Sequence, residues 1–163
     1  MESGESLVFP VALYVPATVH VEGREWFRRP ELHVTTFTPD DLADALEVDL
    51  AVLRAAGDAE RDELTRSREV RFDGRVARVE APDGRRTLVA FCDVDGLAGV
   101  YLRLSEAVGR PLAVPPTHVT LYTSAPGMKG IGVSTAAQVD ACTTPLRGAD
   151  AAALLRHLPP RTG

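Results

Sequence analysis

The sequence predicts a single α+β domain, and three observations carry that expectation. Runs of β-branched and aromatic residues bounded by turn signals read as strands, two longer segments repeat leucine at helical spacing, and the two kinds of segment do not alternate strictly. The chain has 163 residues, 45% hydrophobic and 25% charged. That composition excludes intrinsic disorder. No shift in it marks a linker, so residues 1–163 are expected to form one domain, with lobes rather than separate units.

Leu7–Tyr14 and Thr18–Val21 open the chain as strands, with Pro10 confining the first to an edge or a bulge. Glu31–Thr38 is the next strand. A helix follows at once, with Thr38 as N-cap, Pro39 at the first helical position and Asp40 and Asp41 in the first turn. Leu42, Leu46, Leu50 and Leu53 form its apolar stripe, and Gly57 is expected to end it. A meander of Glu69–Phe72, Arg75–Glu80 and Arg86–Asp93 comes next, with turns at Asp73-Gly74 and Pro82-Asp83-Gly84. A second helix, capped by Asp95, spans about Gly96 to Val108 and is stopped by Gly109 and Pro111. Strand Thr117–Thr123, a glycine-rich loop, a short helix from about Ala136 and a last helix near Ala149–Leu158 complete the order.

The net charge of −5 argues against a protein that coats long nucleic acid, which needs surplus Lys and Arg to displace counterions. The charge is unevenly spread. Residues 39–63 carry nine acids and two bases, leaving the remainder at +2. Most of the acidity therefore sits on the solvated face of one helix. Cys92 and Cys142 lack any paired spacing, which suits idle thiols in a reducing compartment. The apolar run Leu7–Val19 is broken by two prolines and preceded by Glu2 and Glu5, unlike a signal peptide, and no stretch has the length of a membrane span. A cytoplasmic monomer without membrane contact is the expectation.

One internal repeat stands apart. Pro30–Thr38 (PELHVTTFT) and Pro115–Thr123 (PPTHVTLYT) agree at five of nine positions, with Phe37 matching Tyr122 conservatively. Two of the four histidines fall at equivalent places. Side chains two residues apart on a strand share a face. Each copy should thus present an imidazole and a hydroxyl on one side, His33 with Thr35 and His118 with Thr120, and apolar residues on the other. If the strands meet, two imidazoles and two hydroxyls converge. That set suits phosphodiester hydrolysis without a metal: one neutral histidine takes a proton from water, a protonated one gives a proton to the departing oxygen, and the hydroxyls hold the phosphate oxygens.

At these residues the sequence resembles the 2H phosphoesterase superfamily, which includes 2′-5′ RNA ligase-like proteins and RNA 2′,3′-cyclic phosphodiesterases. Its signature is a pair of His-hydrophobic-Thr/Ser-hydrophobic motifs, matched here by His33-Val34-Thr35-Thr36 and His118-Val119-Thr120-Leu121. Thr36 departs from the pattern, which usually has an apolar residue there. The likeness covers most of residues 7–123 and matches the last forty poorly. It implies two pseudo-symmetric lobes of antiparallel sheet with flanking helices around a central cleft. It also implies catalytic roles for His33, Thr35, His118 and Thr120, no cofactor, and a substrate that is a small nucleotide or short RNA end bearing a cyclic phosphate. Reversible 2′-5′ RNA joining, or nucleotide binding without turnover, are the alternatives.

Three further residues are candidates for substrate contact. Phe37 and Tyr122 continue the cleft face and can stack on a base or simply close the core. Lys129, the only lysine, lies in the loop Pro126–Gly132, whose glycines allow close backbone approach to an anion but lack the spacing of a triphosphate-binding loop. Arg24, Arg28 and Arg29 stand among Glu22, Glu25 and Glu31 and read as a salt-bridged surface loop. Histidines and cysteines at no short paired spacing give no zinc site.

Overall fold

Among the described residues, 6–159 in this computed structural model, eight strands join into one open antiparallel sheet. In chain order they are β1 (Leu7–Pro10), β2 (Thr18–Val21), β3 (Arg24–Arg28), β4 (His33–Phe37), β5 (Val70–Glu80), β6 (Arg86–Val94), β7 (His118–Thr123) and β8 (Thr143–Pro145). Six helices accompany them: α1 (Pro39–Leu46), α2 (Leu50–Ala59), α3 (Arg61–Thr65), α4 (Leu97–Val108), α5 (Ala136–Cys142) and α6 (Gly148–Leu155). The main path runs β1-β4-β7-β6-β5-β8, so the two motif strands are neighbours inside the sheet. The hairpin of β2 and β3 joins the far end of β7, at Phe27 opposite Thr123 and Arg28 opposite Tyr122. The α+β class is as expected.

Alternation along the strands divides the core. Val34, Leu88, Ala90, Val119 and Leu121 pack on one face with Phe9, Trp26 and Leu154 of α6. Each fully buried side chain of this size adds about 1.5–3 kcal/mol relative to exposure. The opposite face carries two smaller clusters. Phe37 packs with Leu42, Leu53, Tyr101 and Leu104 of the helices, whereas Val89 and Phe91 pack with Ala77, Val79 and Val133. The candidate site opens between those two clusters.

Several sequence-based boundaries shift for identifiable reasons. The expected helix from Pro39 to Gly57 is two helices, because Glu47 takes a left-handed conformation (φ 53°) and Asp49 starts α2 by accepting from the Ala51 amide at 2.8 Å. Gly57 lies inside α2 rather than at its end. A Cβ there would stand 2.4 Å from the Phe37 ring, so glycine allows helix and strand to approach. We expect Gly57→Val to destabilise the fold by about 1–3 kcal/mol, the usual cost of overpacking a core. An unchanged denaturant midpoint would contradict the tight approach.

Asp73-Gly74 is an irregularity within the single long strand β5, not a hairpin turn. Both halves of β5 pair with β6, and Gly74 (φ 89°) absorbs the extra residues between Phe72 and Val76. Asp95 does not cap α4. Gly96, left-handed at φ 77°, occupies that position without a side-chain bond. The presumed arginine-rich loop is strand β3, anchored by Trp26, which is fully buried and donates from Nε1 to the Val21 carbonyl at 2.9 Å. None of Arg24, Arg28 and Arg29 forms a salt bridge among the described residues; Glu22 pairs instead with Arg78. Strand β8 is only three residues long and ends in proline, too short to announce itself, and its place at the edge of β5 comes from tertiary pairing. No helix among the described residues is long and apolar enough to cross a membrane.

Candidate active site

The two motif strands pair antiparallel with Val34 directly opposite Val119. These valines are the same position of the repeat, so the pairing places the two copies about a local two-fold axis. Extending that register by one residue sets His33 beside Thr120 and Thr35 beside His118. Directly opposed side chains on one face have Cβ atoms about 4.5–5.5 Å apart. Both valines are buried in the main core, so the two imidazoles and two hydroxyls project from the other face, where all four line one cleft of about 250 Å³.

His118 is held by its surroundings. Its Nδ1 lies 3.1 Å from the Pro116 carbonyl oxygen. A carbonyl can only accept, so Nδ1 carries a hydrogen and Nε2 is left to exchange a proton. The Phe91 ring meets the imidazole edge-on at 6.0 Å between centroids and 63° between planes. Burial lowers the His118 pKa from its ordinary value, the Pro116 bond opposes that, and the charge of His33 lowers it further. Burial also lowers the His33 pKa; the Arg29 charge acts in the same sense, against Glu31. Each imidazole thus sheds its proton more readily than a free histidine, and each is sensitive to charge placed in the cleft.

Thr36, the departure from the motif pattern, is fully buried. Its single hydroxyl hydrogen is shared between the carbonyls of Leu64 at 2.6 Å and Leu7 at 3.1 Å, while its own carbonyl accepts from the Tyr101 hydroxyl at 2.6 Å. The hydroxyl therefore fastens β4 to β1 and α3, on the side where an apolar residue would only pack.

The additional candidates fare differently. Phe37 lines the cleft, but at 2% exposure it is a wall rather than a stacking surface. Tyr122 is absent from the cleft. The β6 and β7 registers slip where Leu88 faces Tyr122 and Val89 faces Thr120, leaving Leu121 as an extra residue. A bulge of this kind breaks alternation, so Leu121 and Tyr122 both enter the main core, and the Tyr122 hydroxyl donates to the Pro16 carbonyl at 2.8 Å. Lys129 is exposed and outside the cleft lining, although the segment just beyond it, Gly130 to Ser134, forms one rim.

The cation at the site is Arg29, although Glu22, Glu25 and Glu31 balance the local charge along the chain. Arg29 lines the cleft and donates from Nη1 to the Met128 carbonyl at 3.2 Å, tying the residue after β3 to the loop that leads into the rim. Its backbone amide donates to the Leu121 carbonyl at 3.0 Å, which fixes it beside β7. A Cβ on Gly130 would stand 3.2 Å from Nη1, so the rim passes close over the guanidinium. Its place four residues before His33 is a local signal, but only the pairing of β3 with β7 brings it inward. Among the described residues no group of three or more His, Cys, Asp or Glu is arranged to hold a metal ion. Comparison with family models, curated proteins and solved structures gave no match to this chain.

Proposed function

We propose that the protein is a phosphodiesterase of the 2H type that opens 2′,3′-cyclic phosphates of nucleotides or short RNA ends. The observation that carries this reading is the Val34–Val119 pairing, which sets His33, Thr35, His118 and Thr120 on one cleft wall in pseudo-two-fold array. The two-lobed architecture expected of that class belongs to the same reading, supported by the separate clusters that flank the cleft.

In the proposed reaction a water oxygen forms a bond to phosphorus while one ribose oxygen leaves. One neutral imidazole takes the water proton, and the other, protonated, delivers its proton to the ribose oxygen. The threonine hydroxyls and the Arg29 guanidinium hold the non-bridging oxygens, where charge develops. The histidines end the turnover with exchanged protonation states, and solvent resets them.

Two outcomes follow for assays on 2′,3′-cyclic nucleotides. Turnover is expected to persist in excess EDTA, because imidazoles supply both proton transfers; loss of activity with chelator would contradict the mechanism. The kcat/KM profile of the free enzyme is expected to be bell-shaped, with its optimum on the acid side of pH 6.5, since both imidazole pKa values lie below that ordinary value. An optimum above neutral pH would mean that other groups carry the protons.

A further inference from the structure

Two fixed charges line the cleft at opposite ends. Arg29 acts on His33 at the start of β4, whereas Asp41 follows the other end of that strand, in the first turn of α1. The strand between them spans about 13 Å at the usual rise per residue. Val8, Leu42 and Tyr101 form apolar wall on the Asp41 side. The helix dipole favours an acid at this position, but the two acids of the turn differ. Asp40 faces Arg54 at 3.5 Å, while Asp41 lines the cleft and has no salt-bridge partner among the described residues. Beside it, the hydroxyls of Ser6 and Thr38 lie 3.3 Å apart and also line the cleft.

An ionised carboxylate only accepts hydrogen bonds, and it does so through two oxygens. Among the bases, guanine alone presents a ring N–H and an amino group side by side. Uracil offers one N–H between two carbonyls, and adenine and cytosine pair their amino group with a ring acceptor that a carboxylate repels. The carbonyl beside guanine's ring N–H needs a donor, which a rotatable hydroxyl of Thr38 or Ser6 supplies. We infer that Asp41 is a specificity-determining residue that selects guanine as the base of the nucleotide whose phosphate lies between His33 and His118. This rests on the proposed nucleotide chemistry of the cleft and adds to it the base.

The test uses the whole protein with the four 2′,3′-cyclic nucleotides, together with calorimetric binding of guanosine and uridine 2′- and 3′-monophosphates. The expected kcat/KM for the guanosine substrate exceeds that for uridine by about tenfold or more, the worth of a charged hydrogen bond. In Asp41→Asn, which puts an amide N–H₂ where an acceptor stood, that ratio is expected to collapse through a higher KM for guanosine. Guanosine monophosphate is expected to lose its binding advantage over uridine. Equal kcat/KM for all four bases in the wild type, or a selectivity unchanged in Asp41→Asn, would overturn the inference while leaving the phosphodiesterase reading intact. Guanosine monophosphate binding that depends on Asp41, without turnover of any cyclic nucleotide, would uphold the base selection and overturn the hydrolytic reading. Failure to bind or turn over any nucleotide would overturn both.

Discussion

His33→Ala and His118→Ala are each expected to lower kcat/KM for cyclic phosphate opening by about 100-fold or more, the usual contribution of a positioned general acid or base. The fold should survive both changes. Each histidine is only half-buried on the cleft face, and the strands are anchored by Val34 and Val119 behind them. Losing His118 removes one hydrogen bond, to Pro116, and one edge contact with Phe91. A deficit in activity with little change in the denaturant midpoint therefore separates a catalytic from a structural role. The double variant should be about as slow as either single one, because the two proton transfers act as a unit and such losses are far from additive. Full activity in either variant would show that the paired motifs do something else.

Arg29→Met is expected to reduce kcat/KM by about 10- to 100-fold, the range for removing a hydrogen bond to a charged group. Methionine keeps an apolar stem of similar reach and deletes only the guanidinium, so KM should rise more than kcat falls. A second effect has a definite sign. The Arg29 charge depresses the His33 pKa, so its removal lets that pKa rise and moves the limb of the kcat/KM profile that His33 carries toward neutral pH. Arg29→Lys should restore part of the affinity, since an ammonium supplies the charge without the planar fork. An unchanged KM together with an unchanged profile would mean that Arg29 serves only to tie the rim at Met128.

The central pairing was legible in the sequence because strand alternation is a local rule. His33 and Thr35, and His118 and Thr120, fall where period two sends them, and the repeat already related the two pairs. Tyr122 escaped that rule because a bulge depends on the partner strand; nothing local in the second motif marks Leu121 as the extra residue. Arg29 was hidden for a similar reason. Counting charges along the chain cancelled it against nearby glutamates, yet in space Glu22 meets Arg78 from β5 and leaves Arg29 to the cleft. Gly57 shows the same limit from the opposite side. A glycine near a helix end reads as a stop, and only the Phe37 ring against it explains why it sits inside α2.

The central claim is that both imidazoles serve one phosphate-sized site. Nuclear magnetic resonance titration of the histidine rings, with and without a nucleoside 2′- or 3′-monophosphate, tests it most directly, using His33→Ala and His118→Ala to assign the signals. A bound phosphate favours the imidazolium form of any ring beside it. The account predicts that the nucleotide raises the pKa of His33 and of His118 together. A nucleotide that binds and shifts only one of the two rings, or neither, would contradict it.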